Sequence, residues 1–312
     1  MSHAPLPPPP PTGGKFVAPL RGLVIVAPQG YCISGKRVRG NRCFMQDPAS
    51  QLPEFDNPPI QEAILSVEFE RLATWKIAHY GAFWAKVRAD YPTTETQPAI
   101  PPASSGFAPA GVTFGPADNN LARVCFINAA ETMQIQVQYD RFRLAWARHS
   151  PSDDYPRYTA IRSEFERQWQ KFLDFVQAEK FPPPQPKRCE IIYVNHVDAE
   201  NNWEKFQFLE KIFAPWSHQG TDRFLPRPKM VSIASQYTWA DQGELHIALQ
   251  PAIRLSDQAK LIQLILTARL PLAGETDTQF VLGRFDLGRE RIVRGFADVT
   301  TKEMHSLWKR KA

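Results

Sequence analysis

The stretch Glu62-Ala63-Ile64-Leu65-Ser66-Val67-Glu68-Phe69 decides the fold. Ala63, Leu65, Val67 and Phe69 fall on one face, and Glu62, Ser66 and Glu68 on the other. A period of two is the mark of a half-buried β-strand. Upstream, Asn57-Pro58-Pro59-Ile60 imposes an extended approach, because proline biases its own backbone and its predecessor's away from a helix. Downstream, Trp75, Tyr80, Phe83, Trp84, Val87 and Tyr91 recur at helical spacing, and Tyr91-Pro92 ends that helix. Residues 93–120, rich in Pro, Gly, Ser and Thr, read as a long surface loop.

Val124 to Asn128 forms one arm of a hairpin. In the other arm, Met133, Ile135, Val137 and Tyr139 alternate with Gln134, Gln136 and Gln138. The apolar phase then switches to Phe142, Leu144 and Trp146, as a bulge or bend near Asp140-Arg141 would produce. Tyr158, Ile161, Phe165, Trp169, Phe172 and Val176 make the apolar stripe of a long helix, which reads as core.

After the stiff connector Phe181-Pro182-Pro183-Pro184 a second alternating strand begins, Arg188-Cys189-Glu190-Ile191-Ile192-Tyr193-Val194-Asn195. Ile192 and Val194 make its second face partly apolar, which places it centrally in a sheet. A short helix over Trp203 to Phe213 follows, then alternating strands around Val231–Trp239 and Leu245–Leu249, separated by the turn Asp241-Gln242-Gly243. Ile262, Leu264, Leu266, Ala268 and Leu270 make a further strand. Two helices close the chain, the last with Thr300 as N-cap and Glu303 three residues on.

The order strand, helix, hairpin strands, helix therefore occurs twice. The expectation is an α+β protein of two similar lobes, at 45–181 and 187–312, each a mainly antiparallel sheet covered by helices. Residues 1–44 differ in kind, with Pro7 to Pro11 in a run and no sustained periodicity. They read as a disordered tail or as sequence upstream of the true start, for which Met45 is the candidate.

Charge narrows the function. The chain carries a net +5, but residues 1–44 hold six basic and no acidic residues. The remainder has 31 basic against 32 acidic residues, so nucleic acid is disfavoured as a partner. There is no apolar run long enough to span a membrane. Four cysteines without a CxxC spacing, two of them (Cys125 and Cys189) in strand patterns, fit a reducing cytoplasm.

Chemistry-bearing motifs are sparse. Seven scattered histidines make no HExxH or similar ligand pair, and Gly13-Gly14-Lys15 lacks the spacing of a phosphate-binding loop. No metal or cofactor is expected. The polar residues that merit attention are Asn57 and Glu62 in the lead-in and first strand, Arg141 beyond the hairpin, and Asn195, His196 and Asp198 at the end of the second strand. Asn57 suits a turn, Glu62 suits pairing with Arg141 or Arg143 across the sheet or facing a ligand, and His196 suits a strand-end hydrogen bond.

Several segments together carry a resemblance: Asn57-Pro58-Pro59-Ile60-Gln61-Glu62, Tyr155-Pro156-Arg157-Tyr158 before the long helix, Ile192-Tyr193-Val194-Asn195, and Asp286 through Phe296 to Thr300 and Trp308. In order and spacing residues 54 to 310 resemble a sporadically distributed family of uncharacterised bacterial proteins. The resemblance implies a bacterial cytoplasmic protein, carried on mobile or defence-linked loci, and supplies no catalytic residues. The resulting reading is a non-enzymatic protein-binding or regulatory component, antitoxin-like or defence-associated, with homo-oligomerisation left open. The alternatives are an enzyme with a site at the lobe interface and a chaperone-like peptide binder.

Overall fold

The computed structural model describes residues 52–101, 123–150, 152–198, 209–216, 230–254 and 258–311. Residues 1–44, Met45 and most of the segment expected as a surface loop lie outside them. In chain order the elements are β1 (Ile60–Phe69), α1 (Ile77–Val87), β2 (Thr93–Gln97), β3 (Arg123–Ile127), β4 (Met133–Gln138), β5 (Arg141–Ala147), α2 (Arg157–Ala178) and β6 (Pro186–Asp198). They continue with α3 (Leu209–Ile212), β7 (Ile233–Thr238), β8 (Glu244–Ile253), β9 (Lys260–Pro271), α4 (Thr278–Val299) and α5 (Lys302–Leu307).

The two expected lobes do not exist. Among the described residues the nine strands form one antiparallel sheet in the order β2-β3-β4-β5-β1-β6-β9-β8-β7. The two strands expected to open separate lobes are its centre: β1 pairs with β6 from Ile60 opposite Asn195 to Phe69 opposite Pro186. Alternation shows which residues share a face, but it does not say which distant strand completes the ladder. That information is non-local, and the likeness in element order concealed it.

One face of the sheet is apolar and carries the long helices. Leu65 and Val67 of β1, Phe142 and Leu144 of β5, Ile191 of β6, and Leu264, Leu266 and Leu270 of β9 are all buried. The stripe on α2 lies against them, with Phe142 ring centroids 5.4 Å from Trp169 and 5.1 Å from Phe172. Phe165 meets Phe285 of α4 edge-on at 4.8 Å, which joins the two helices. Each fully buried side chain of this size contributes about 1.5–3 kcal/mol. Helix α4 approaches the sheet through small residues. A Cβ on Gly288 would lie 2.9 Å from Leu270 Cδ1 and 3.0 Å from Ile191 Cδ1, and one on Gly295 would lie 2.6 Å from Leu245 Cδ2.

Local details also depart from expectation. The phase switch after β4 is a two-residue turn at Tyr139-Asp140, not a bulge: Gln138 opposes Arg141 and Val137 opposes Phe142. Opposed residues share a face, and a two-residue turn separates them by an odd number, so the apolar phase must flip. Thr93–Gln97, read as loop, pairs with β3 as an edge strand, as β-branched threonines favour. Of the helix expected over Trp203 to Phe213, Leu209–Ile212 is described as α3. The last helix is capped by Thr301, whose hydroxyl accepts from Met304 N. Thr300 ends α4 instead, and its hydroxyl donates to Phe296 O at 2.6 Å. No helix among the described residues is long and apolar enough to cross a membrane.

The close approach of α4 makes a paired test. Gly288→Ala should lose about 1–3 kcal/mol by overpacking the helix–sheet contact. Gly283, exposed on the same helix with nothing within 4 Å of its added Cβ, should gain about 0.5–1 kcal/mol as alanine. Urea denaturation of both variants measures the two shifts, which must have opposite signs.

Candidate functional site: the charged face of the sheet

The residues of β1 that alternate with its apolar set point to the second face, where the sheet carries charge. Strand register sorts them into rows. From Ser66 outward on one side lie Arg143 and Gln136, and on the other Glu190, Arg269 and Glu244. The adjacent row runs Gln138, Arg141, Glu68, Arg188. Each residue comes from a different strand, and only the pairing of β1 with β6 brings the rows together.

Much of this lattice is buried. Arg141 is 3% exposed, Arg143 7% and Gln138 1%. Glu68 Oε2 is shared by two guanidiniums, Arg188 Nη2 at 3.1 Å and Arg141 Nη2 at 3.2 Å. Arg141 reaches it as an ion pair without hydrogen-bond alignment, and its Nε and Nη2 are left without an acceptor. Arg269 Nε donates to Glu190 Oε1 at 2.8 Å. Burial pushes the Glu190 carboxyl up, but Arg269 and Arg143 outweigh it and hold the group below the usual carboxylate range. Arg123 donates from Nη1 to Gln136 Oε1 at 2.6 Å and from Nη2 to Gln97 Oε1, while its Nε is sealed without a partner. Gln138 is fully used: its amide donates to Asp140 Oδ1 and Ile100 O and accepts from Ile100 N.

Arg143 stands apart. Its guanidinium makes no hydrogen bond or ion pair among the described residues, and its Nε is shut away from solvent. Burial brings its pKa down to about 10, against the opposing pull of Glu190. Glu62 shows the mirror effect, its carboxyl raised by burial despite Arg143 and His149.

The structure disperses the residues singled out from sequence. Glu62 and His196 lie on the charged face at the Pro59 end, where His196 N donates to Pro59 O at 2.9 Å. Arg141 opposes Glu68, six residues farther along β1, or about 20 Å. Its partner is Glu68; of the two arginines expected for Glu62, Arg143 is the one that acts on it, electrostatically and without an ion-pair contact. Asn195 projects to the helix face, buried, with Nδ2 donating to Leu264 O at 3.1 Å. Asn57 is exposed outside the sheet, its backbone N donating to Trp308 O. Asp198 ends β6, and its side chain lies outside the described residues. No lobe interface exists to gather them, since β1 and β6 are hydrogen-bonded neighbours.

Sequence reasoning missed Arg143, Glu68, Glu190 and Arg269 as a group. The signal lay in the polar halves of the alternating strands, notably Gln134, Gln136 and Gln138 leading into Arg141 and Arg143. Polar positions of a half-buried strand are ordinarily assigned to solvent, and here they are interior.

Two of the hollows among the described residues lie on the helix side. One of about 590 Å³ between α2 and α4 includes Tyr158, Arg162 and Asp286, where Tyr158 Oη donates to Asp286 Oδ1 at 2.7 Å and Arg162 holds the same carboxylate with two bonds. The other, about 240 Å³ between α4 and the β7–β8 hairpin, includes Trp239 and Arg291; the Arg291 guanidinium stacks 4.4 Å from the indole and donates to Asp241. Both clusters tie elements together. Cys125 and Cys189 are buried free thiols, pushed up by burial to about 11 and about 12, and so are poor nucleophiles. Among the described residues no group of His, Cys, Asp and Glu could hold a metal ion.

Glu68→Gln should destabilise the protein by about 3–5 kcal/mol, because it strips a buried ion pair of its anion. Glu70→Gln, which breaks only the exposed pair with Lys187, should lose less than about 1 kcal/mol. Urea midpoints of the two variants give the contrast. Acid unfolding tests Glu190. Its folded pKa lies below the unfolded value, so its contribution is present above that unfolded value and is lost as pH falls through the folded one. Glu190→Gln should therefore show a shallower loss of stability below about pH 5 than the parent protein.

No protein-family model matches the chain and no curated protein matches it, so the meaning of the charged face rests on its geometry.

Proposed function

We propose that the chain is a non-enzymatic binding component whose charged sheet face holds an acidic segment of a protein partner. One observation carries this reading. The guanidiniums of Arg123 on β3 and of Arg141 and Arg143 on β5, the two strands that flank β4, have buried Nε donors that no acceptor fills. Buried donors left empty cost free energy, and a carboxylate brought against the guanidinium of Arg143 would offset part of that cost. The remaining carboxylates do not compete for the role: Glu68 and Glu190 are already engaged by Arg188 and Arg269.

A binding role accounts for a face built of matched ions instead of a concentrated set of nucleophile, base and acid. It agrees with the regulatory, antitoxin-like or defence-associated component implied by the resemblance to sporadically distributed bacterial proteins. Free buried thiols suit its operation in a reducing bacterial cytoplasm.

Affinity capture from the native host, with the chain and an Arg141→Met/Arg143→Met variant compared by quantitative mass spectrometry, tests the reading. The parent should recover one stoichiometric acidic protein, and the folded variant should recover at least about tenfold less, equivalent to about 1.4 kcal/mol. Equal recovery by the variant, or no stoichiometric partner at all, would overturn it.

A further inference from the structure

Arg143 has the features of an anchoring residue, and its surroundings define what it would anchor. It lies at the middle of the sheet's charged face, on β5, between Gln136 of β4 and Ser66 of β1. At 7% exposure it has no acceptor for its guanidinium among the described residues. A buried charge without a bonded counter-ion is among the costliest features a fold can hold. Arg141 and Arg123 each add a buried Nε without an acceptor, while Arg141 Nη2 lies 3.2 Å from Glu68 Oε2. Gln136 gives its amide oxygen to Arg123, which leaves its amide N–H groups for another acceptor.

The charge of the missing acceptor is also constrained. Two carboxylates, Glu190 and Glu62, and two guanidiniums, Arg123 and Arg141, act on Arg143 electrostatically without binding it, so its own positive charge is the one left unbalanced. The carboxylates leave room for one negative charge and oppose a second. A planar monoanion also matches the fork of the guanidinium, which grips both oxygens of a carboxylate. A phosphate dianion would bring a second charge toward Glu190 and Glu62.

Building on the proposed binding role, we infer that Arg143, assisted by Arg141 and Gln136, is a carboxylate-binding site that takes one acidic side chain or chain terminus of the partner. The site is non-covalent, and the carboxylate supplies the acceptor that the sheet itself lacks.

Sodium acetate is the probe, with sodium phosphate and sodium chloride at matched ionic strength and pH as comparisons. Thermal unfolding is followed for the full chain, Arg143→Met and Arg143→Lys. Acetate should raise the Tm of the parent above its value in chloride, phosphate should do so less, and Arg143→Met should lose the acetate response. Arg143→Met should itself fold, since Arg269 keeps its bond to Glu190. Arg143→Lys, which keeps the charge but not the fork, should weaken the acetate response by about tenfold in apparent affinity or more. A parent indifferent to acetate, an Arg143→Met variant that responds as the parent does, or a larger effect of phosphate would each overturn the carboxylate site. If partner capture depends on the arginines while acetate fails to bind, the site falls and the binding role stands. If acetate binds through Arg143 and capture is unchanged by the variants, the site stands and the binding role falls.

Discussion

The antiparallel pairing of β1 with β6 is the constraint on which the other strands depend. β1 carries β5, then β4, β3 and β2 in turn, while β6 carries β9, β8 and β7. Without the central pair the halves would be two small sheets, each with a long, newly exposed edge, and such edges invite association. The pair also sets the level of the two long helices. Gly288 of α4 fits against Ile191 of β6 and Leu270 of β9, while Phe172 of α2 fits against Phe69 of β1 and Phe142 of β5.

The two faces of that sheet fix its register by different means. On the helix face, aromatic rings interlock, and burial supplies most of the stabilisation. On the other, ion pairs are assembled across strands distant in sequence: Glu68 with Arg188, Glu190 with Arg269. A slip of one residue between β1 and β6 would turn Glu68 or Glu190 into the aromatic core and Val67 or Ile191 out of it. The penalty for the buried charge would be several kcal/mol, comparable with the whole stability of an ordinary domain. The charged face therefore discriminates against wrong registers even where its pairs add little net stability.

Much of the local structure could be read from the chain. The alternation of Glu62–Phe69 gave a strand, the stripe from Tyr158 to Val176 gave α2, and the apolar second face of Ile192 and Val194 marked β6 as central. What could not be read was the joining of the halves, because each half satisfies the same alternation whether it pairs with itself or with the other. The charged face was hidden for a related reason. Glu190, Arg143 and Ser66 are distant in sequence and look like solvent-facing positions of three strands, and only the nine-strand order puts them in one buried row. His196 and Glu62 drew attention as lone polar residues at strand ends, yet Arg143, inside a strand, is the group left unpaired.

The unmatched arginine is informative because the carboxylates bonded nearest to it are already engaged by other arginines. A lattice serving only to hold strands together would close with each cation beside an anion. Glu68 serves two arginines and Glu190 serves Arg269, which spends the carboxylates nearest the centre and leaves Arg143 over. Glu62 does not make up the deficit: its carboxyl is raised by its own burial and makes no contact with Arg143 within ion-pair distance. Two half-compensated groups of opposite sign thus persist on one face without collapsing onto each other, since in the β1–β5 ladder Glu62 stands opposite Ala147 and Arg143 opposite Ser66. Packed at 7% exposure, the Arg143 side chain keeps its buried Nε without an acceptor in the folded chain. Such a group is already ordered before a ligand arrives, and an arriving carboxylate would lose little further side-chain entropy to bind it.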